Sequence, residues 1–519
     1  MMRKLSSWCL LLLALATWSA AAAAAEPADV FGDHMVLQRG KPAPVWGTAE
    51  PGQEVTVNFA GQSKTATANA DGKWQVVLDP LAASTRPQTL TIAGKNTVTT
   101  DDVLVGDVWI FSGQSNMGRN VGRHTTPDGM KWNHPLIRYW GAGKDRPYPI
   151  EKFDAASEAW TVCRDEETIK GCCAVGFYFA RHIQQEGIDV PQGILWQAWA
   201  GSIIQEWIPR HGFRLEPQLQ QLADRVDAYY PNTPHGRAVW KERLSEIERW
   251  LVEAEKAMAE NKPFPYPQPL MPEPGPRDLC GFYNGKIHPL VPMAIKGVVW
   301  YQGESDSRNR LWDLELKVMA KSWRDLFSVV GDGGEIPFYW MQIQRSGDYC
   351  SPLIRQEQFN ALALVPNSGM AVLLDFDVNV HPANKVDAGI RAALWALHRD
   401  YGRKDIVPSG PLYRSHCVEG NKVIVEFDYT SGGLRLGEKE MLDPPKLTDG
   451  KELPNVEVAG EDRRWQKAVA RIECDKLVAW SDKVDKPAHV RYCYTNIPPP
   501  PFLYNGAGLP AAMFTTLPD

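Results

Sequence analysis

The chain has 519 residues, with Lys+Arg 56 against Asp+Glu 62 and a formal net charge of -6; 44% of residues are hydrophobic and 23% charged. This composition excludes a disordered chain, and the acidic balance argues against a nucleic-acid partner, which usually demands a basic face. At roughly 150 residues per domain the length predicts about three domains, and the 20 tryptophans are an excess that their positions must explain.

The chain opens with Arg3 and Lys4, an apolar run over 10–16, and small residues over 20–25 before Glu26-Pro27. Basic, then apolar, then small is the order of a secretory signal, expected over 1–25 with cleavage near Ala25. A membrane anchor is the rival, but the apolar run is short for a span and no later segment reaches about 18 apolar residues. The expectation is an exported protein, secreted or periplasmic, without membrane contact once the leader is gone. Its removal takes away Trp8, Trp18 and Cys9. Export permits disulfides. Cys474 with Cys493, or Cys163 with Cys172 or Cys173, are candidate bridges among the roughly 105 pairings that eight cysteines allow. No CxxC pair or HExxH occurs, so structural cysteines are expected, with no metal and no cofactor.

Residues 26–105 read as a β-sandwich. Val55-Thr-Val-Asn-Phe59 and Trp74-Gln-Val-Val-Leu78 alternate, and Pro51-Gly52 and Asp71-Gly72 mark turns. The period changes over 106–402. Short apolar runs (Val108-Trp-Ile-Phe111, Gly193-Ile-Leu-Trp-Gln-Ala198, Gly297-Val-Val-Trp-Tyr301, Pro337-Phe-Tyr-Trp-Met341, Met370-Ala-Val-Leu-Leu374) alternate with helical stretches over 174–186, 311–327 and 387–399. Strands buried on both faces, separated by helices, predict a three-layer α/β domain with a parallel sheet. About 212–275 reads as a helical insertion. Apolar residues at Trp240, Leu244, Ile247, Leu251, Ala254 and Met258 predict a helix packed on the surface through that face, with a partner-binding coiled coil as the alternative. The proline-rich run from Lys262 reads as a stiff linker. Over 403–519 strand patterns return at Val423-Ile-Val-Glu-Phe427, Leu477-Val-Ala-Trp480 and Val490-Arg-Tyr-Cys-Tyr494.

The first apolar strand of the α/β region runs into Phe111-Ser-Gly-Gln-Ser-Asn-Met117. That places Ser115 at the carboxyl edge of the sheet, where open α/β folds put their active sites. Gly113 permits a tight turn, and a helix starting here would aim the Ser115 amide into a cleft as an oxyanion donor. A helix-capping serine is the plainer reading. The GxSxG elbow of α/β-hydrolases is not met, because Met117 holds the second glycine position.

Gly113-Gln-Ser-Asn-Met117, Trp300-Tyr-Gln-Gly-Glu-Ser305 and His381-Pro-Ala-Asn-Lys385, in that order, resemble the sialate O-acetylesterase and carbohydrate acetylesterase group of the SGNH hydrolases. His34-Met-Val-Leu-Gln-Arg39, Trp46-Gly-Thr-Ala49 and Asp71-Gly-Lys-Trp74 look like that group's leading β domain, so the resemblance runs from about 30 to at least 400. It implies an SGNH-type, flavodoxin-like sheet and a serine esterase acting on acetylated carbohydrate. Ser115 would be the nucleophile and His381 the base, preferred over His288, which is also followed by proline. The oxyanion would be held by the Ser115 amide, the Gly201 amide and the Gln302 side chain, which stands where related enzymes use asparagine. Relatives often carry two glycines before a threonine, whereas Ala200-Gly201-Ser202 stands here. The acid is the weakest match: the family's aspartate position, three before the histidine, is Val378. Asp377, one residue earlier, is the candidate, with a Ser115–His381 dyad as the alternative.

A hydrolase of this kind would pass through an acetyl-Ser115 intermediate and need no metal. Two rivals stand beside it, a non-catalytic glycan-binding protein and a lipase or thioesterase on the same scaffold. For substrate, Glu304 could orient the sugar, Arg119 and Arg123 would suit the anionic charge of sialic acid, and Trp199 and Trp207 would stack on a neutral sugar. Those two indoles tilt the expectation toward plant-wall xyloglucan or xylan. Oligomeric state is not legible.

Overall fold

A computed structural model describes residues 24–141, 151–152, 159–230, 232–265, 269, 279–328, 336–450 and 452–517. The expected leader, apart from its last two residues, and residues 266–268 of the proline-rich run lie outside them.

The alternation in the N-terminal region is realised as pleated strands. In Lys73–Leu78 the buried residues are Trp74, Val76 and Leu78, and in Glu54–Phe59 they are Val55, Val57 and Phe59. Ala43–Thr48 pairs antiparallel with Lys73–Leu78 and with Glu26–Pro27 in a three-stranded sheet. The other N-terminal strands are not separate from the rest of the molecule. Thr97–Gly113 (β1) is one strand of 17 residues. Its first half pairs antiparallel with Ser84–Ala93, and its second half enters the α/β sheet, so the boundary expected at 105/106 falls inside a continuous strand.

That α/β sheet contains Ile137–Trp140 (β2), Thr161–Val162 (β3), Gln192–Ala198 (β4), Gly297–Tyr301 (β5), Phe338–Gln342 (β6) and Ser368–Val372 (β7). The order is β3-β2-β4-β1-β5-β6-β7, parallel throughout except for β3 at the edge. With the N-terminal strands attached to β1 and their neighbours, the whole is a mixed sheet of 11 strands. β5, β6, β7 and the end of β1 are buried at every position, as their unbroken apolar runs predict. Helices Ala174–Gln185 (α1), Trp312–Phe327 (α2) and Val386–Arg399 (α3) match the expected stretches within one or two residues, and Pro352–Leu364 adds a helix between β6 and β7.

The chain fills the sheet on one side of β1 through β4, then crosses to the other side with β5. This topological switch opens a crevice at the carboxyl ends of β1 and β5. Registers are matched there: Gly113 lies opposite both Ala198 and Tyr301, so the loops after β1, β4 and β5 emerge at one edge.

The tryptophan excess is mostly core. Trp109, Trp140, Trp207, Trp300, Trp312, Trp323, Trp340 and Trp395 are among the largest fully buried side chains. The insertion departs from expectation. A helix does span Pro234–Ala259, capped by Thr233 on the Gly236 amide, but its apolar stripe is packed only in part: Trp240 and Ile247 are half-buried and Ala254 is buried, while Leu244, Leu251 and Met258 are exposed. Its start is held by the cap, and the Trp250 indole donates to the Pro265 carbonyl (2.9 Å).

The C-terminal region forms three antiparallel sheets, which take up the expected strands at Lys422–Asp428, Lys476–Trp480 and His489–Tyr492. It is anchored to the α/β unit through buried polar groups. Arg391 of α3 grips Asp375 with two bonds (2.6 and 2.8 Å), and the Tyr504 hydroxyl donates to the same carboxylate (3.1 Å). None of the eight cysteines is paired; Cys474 is exposed and Cys493 buried.

Candidate active site

The turn after β1 needs glycine at its first step. Gly113 has φ +137°, and a Cβ there would come within 2.2 Å of the Tyr301 carbonyl oxygen on β5. The chain then closes a single turn, with the Met117 and Gly118 amides donating to the Gln114 carbonyl (3.0 and 2.9 Å). No helix begins at Ser115, so the helix that would have aimed the Ser115 amide is not formed. Among the described residues no acceptor engages the Ser115 amide or the Gly201 amide. The Gly201 loop is tied to β1 by the Trp199 amide on the Gly113 carbonyl (3.0 Å).

His381 arrives from the loop after β7. Its Nε2 lies 2.9 Å from the Ser115 Oγ. Burial, then the charges of Arg119 and Lys385, push its pKa below the usual 6.5, so the imidazole is mostly neutral at pH 7. His288 is elsewhere, with Nδ1 at the Lys152 carbonyl (2.8 Å).

Several sequence-based roles are not met by this arrangement. Asp377 does not reach His381. No carboxylate among the described residues lies in bonding range of either imidazole nitrogen, one Asp377 oxygen is buried without a partner, and Asp375 is spent on Arg391. Val378, at the family's aspartate position, follows Asp377 directly and is exposed, and the exposed Asn379 comes next, its side chain accepting from the His381 amide (3.0 Å). Gln302 is buried and its amide hydrogens are both taken, by the Ser202 carbonyl (3.2 Å) and Asp306 (2.5 Å), while its oxygen accepts from the Trp312 indole (2.9 Å). It braces the Gly201 loop and has no free donor for an oxyanion. Glu304 is buried at 2% exposure and accepts from Asn116 and Gln344, so it holds loops together away from any sugar. Trp207 is wholly buried, stacked on Phe282 at 5.1 Å with its indole on Ser202, because the chain after Gly201 turns inward. It cannot be a sugar platform. Trp199 remains half-exposed, with Lys286 5.4 Å over its ring.

Other groups were not legible as site residues. Arg119 has a buried Nε without a partner, and neither it nor Arg123 faces an acceptor among the described residues. Beside them the His124 Nε2 is also buried and unpartnered, and burial followed by surrounding cations lowers its pKa to about 3. Lys385, the last residue of the third motif, is wholly buried and donates to Asn116 (2.6 Å). Its position in the motif was visible; its contact with the residue after Ser115 was not.

A serine hydroxyl beside an imidazole, with two amides free of acceptors among the described residues, is an arrangement suited to acyl transfer, and the likeness to sialate O-acetylesterases and to a carbohydrate acetylesterase shows that the protein is an esterase. No family model matches the chain. It is related to the mouse sialate O-acetylesterase, at 28% identity over 428 residues covering 74% of this chain and 75% of the relative. The human enzyme of the same name is 26% identical over 443 residues, 78% of this chain and 76% of the other. Among solved structures, a carbohydrate acetylesterase from Xanthomonas citri superposes with a TM-score of 0.75 and 27% identity, covering 95% of this chain and all of that one.

Proposed function

We propose that this protein removes O-acetyl groups from carbohydrate by a serine mechanism on an SGNH-type three-layer scaffold, outside the cytoplasm after loss of the leader. The contact between the Ser115 hydroxyl and the His381 imidazole carries the reading. Ser115 attacks the acetyl carbonyl as His381 takes its proton; the Ser115 and Gly201 amides hold the oxyanion; His381 returns the proton to the sugar oxygen. Water, activated by the same imidazole, then releases acetate and restores Ser115.

The surroundings favour an acidic sugar. Arg119 and Arg123 offer guanidinium groups with no acceptor among the described residues beside the Ser115 turn, which suits a carboxylate-bearing substrate such as an O-acetylated sialic acid. A neutral polysaccharide, xyloglucan or xylan, is the second reading, supported by the half-exposed indole of Trp199 alone. Acetate release from the three substrates, measured side by side with wild type and Ser115→Ala, tests both levels. Turnover on none of them, or turnover surviving in Ser115→Ala, would defeat the proposal.

A further inference from the structure

The buried groups behind the serine and the histidine form one connected network. Asn116 follows the nucleophile directly, and the Val380 carbonyl belongs to the peptide that leads into His381. The Asn116 Nδ2 donates to that carbonyl at 2.8 Å and also to Glu304. The Gln344 Nε2 donates to the same carbonyl at 2.9 Å and to Glu304 at 3.2 Å, and the Tyr301 hydroxyl fixes Gln344 by donating to its oxygen at 2.6 Å. Lys385 closes the network from the other side, with its Nζ 2.6 Å from the Asn116 Oδ1 and 4.9 Å from the centre of the Tyr301 ring.

A primary amide has two ends of similar shape, and only its neighbours decide which way it points. Asn116 has the Lys385 Nζ, which is a cation below a pKa that burial lowers to about 7, at one end and a carboxyl group with a carbonyl at the other. Flipped, it would set its NH2 against Lys385 and its oxygen against Glu304, two repulsive contacts in a buried site where such contacts are weakly screened. We propose that Lys385 is a positioning residue for the base. By locking the Asn116 amide it ties the nucleophile turn to the Val380–His381 peptide, and thereby sets the imidazole opposite Ser115 without a carboxylate behind it.

In a triad an aspartate orients the histidine through the ring. Here the orientation is imposed through the backbone: two side-chain donors on the preceding carbonyl, and Asn379 on the His381 amide. The charged groups around the Lys385 ammonium are Glu304, Arg119 and Asp377, with the Cys173 thiol also facing it. Those around His381 are Arg119 and Lys385, and the buried His124 imidazole faces both His381 and Lys385.

The inference rests on the serine mechanism proposed above, and the test separates the two. Lys385→Met and Gln344→Met are assayed with an aryl acetate across pH beside Ser115→Ala and His381→Ala, with folding followed by circular dichroism. Lys385→Met is expected to lower kcat by about 10- to 100-fold with KM within twofold. The acid limb of its kcat/KM should move to higher pH, because a cation facing His381 is gone. Gln344→Met should lower kcat in the same manner without moving the limb. Folded variants with wild-type kcat, or activity that falls only as the folded fraction falls, would overturn the inference; should Lys385→Met not fold, Gln344→Met decides by itself. If Ser115→Ala stays active, the serine mechanism itself is wrong. If it is dead while both methionine variants are normal, only the positioning role is lost.

Discussion

The Nε2 of His381 and the Oγ of Ser115 stand 2.9 Å apart although 266 positions separate them in the chain. Each residue sits on a loop at the carboxyl edge of one sheet, and the buried contacts of Asn116 and Gln344 with the Val380 carbonyl bind the two loops together.

If Ser115 and His381 act as one unit, removing either should cost nearly as much as removing both. Ser115→Ala, His381→Ala and the double variant are each expected to lose on the order of 10⁴-fold or more in kcat on an aryl acetate. Thermal melts should stay within a few degrees of wild type. Additive losses in the double variant would show that the two residues act independently.

An aspartate that orients a catalytic histidine contributes about 10⁴ in kcat. Asp377 makes no contact with His381, so Asp377→Ala should lose no more than about tenfold. Asp375, clamped by Arg391 and Tyr504, answers to a different readout. Breaking that buried ion pair with Asp375→Ala should cost about 3–5 kcal/mol of stability, read by denaturant unfolding. A 10⁴-fold loss confined to kcat in Asp377→Ala would restore the triad.

The two tryptophans around Gly201 should separate cleanly. Trp207→Ala empties a fully buried site and should cost about 3–5 kcal/mol, whereas Trp199→Ala should leave the melting temperature within a few degrees and change KM for sugar esters. A KM effect from a stable Trp207→Ala would contradict the burial of that side chain.

Arg119→Gln removes a guanidinium that has no acceptor among the described residues beside the Ser115 turn. It should raise KM for an acetylated acidic sugar by about tenfold or more, the scale of one charge-assisted hydrogen bond, and leave the neutral aryl acetate almost unaffected. Equal effects on both substrates would exclude a carboxylate contact.

Acid should act on turnover and on stability together. Burial holds the pKa of His381 below 6.5, so the acid limb of kcat/KM should have its midpoint below pH 6.5. His124, His134, His182 and His211 are lowered for the same reason. For a histidine whose folded pKa is depressed, the unfolded chain binds more protons once the pH drops below 6.5. Stability is therefore full above that value and declines as the pH falls toward the folded pKa values. Melting temperatures from pH 7.5 to 5 should fall accordingly; a rise would contradict the burial of these imidazoles.

Local patterns carried much of this protein. Apolar runs such as 108–111 and 297–301 fix buried strands, because only a strand covered on both faces tolerates unbroken hydrophobicity. The glycine at 113, the serine at 115 and the histidine at 381 stand in motifs whose order already pointed to an esterase. What the sequence could not decide was direction. Trp207 was expected to meet a sugar but turns into Phe282, Gln302 spends its amide on Ser202 and Asp306, and Asp377 stops short of the imidazole it was expected to orient. Lys385 was visible as a letter in a motif, yet its contact with Asn116 joins positions 269 apart. Spacing along a chain sets which residues share a strand or a helix face. Which side chains are buried, and which donor finds which acceptor, depends on loops that meet only when the sheet is assembled, and here that meeting decided how the base is held.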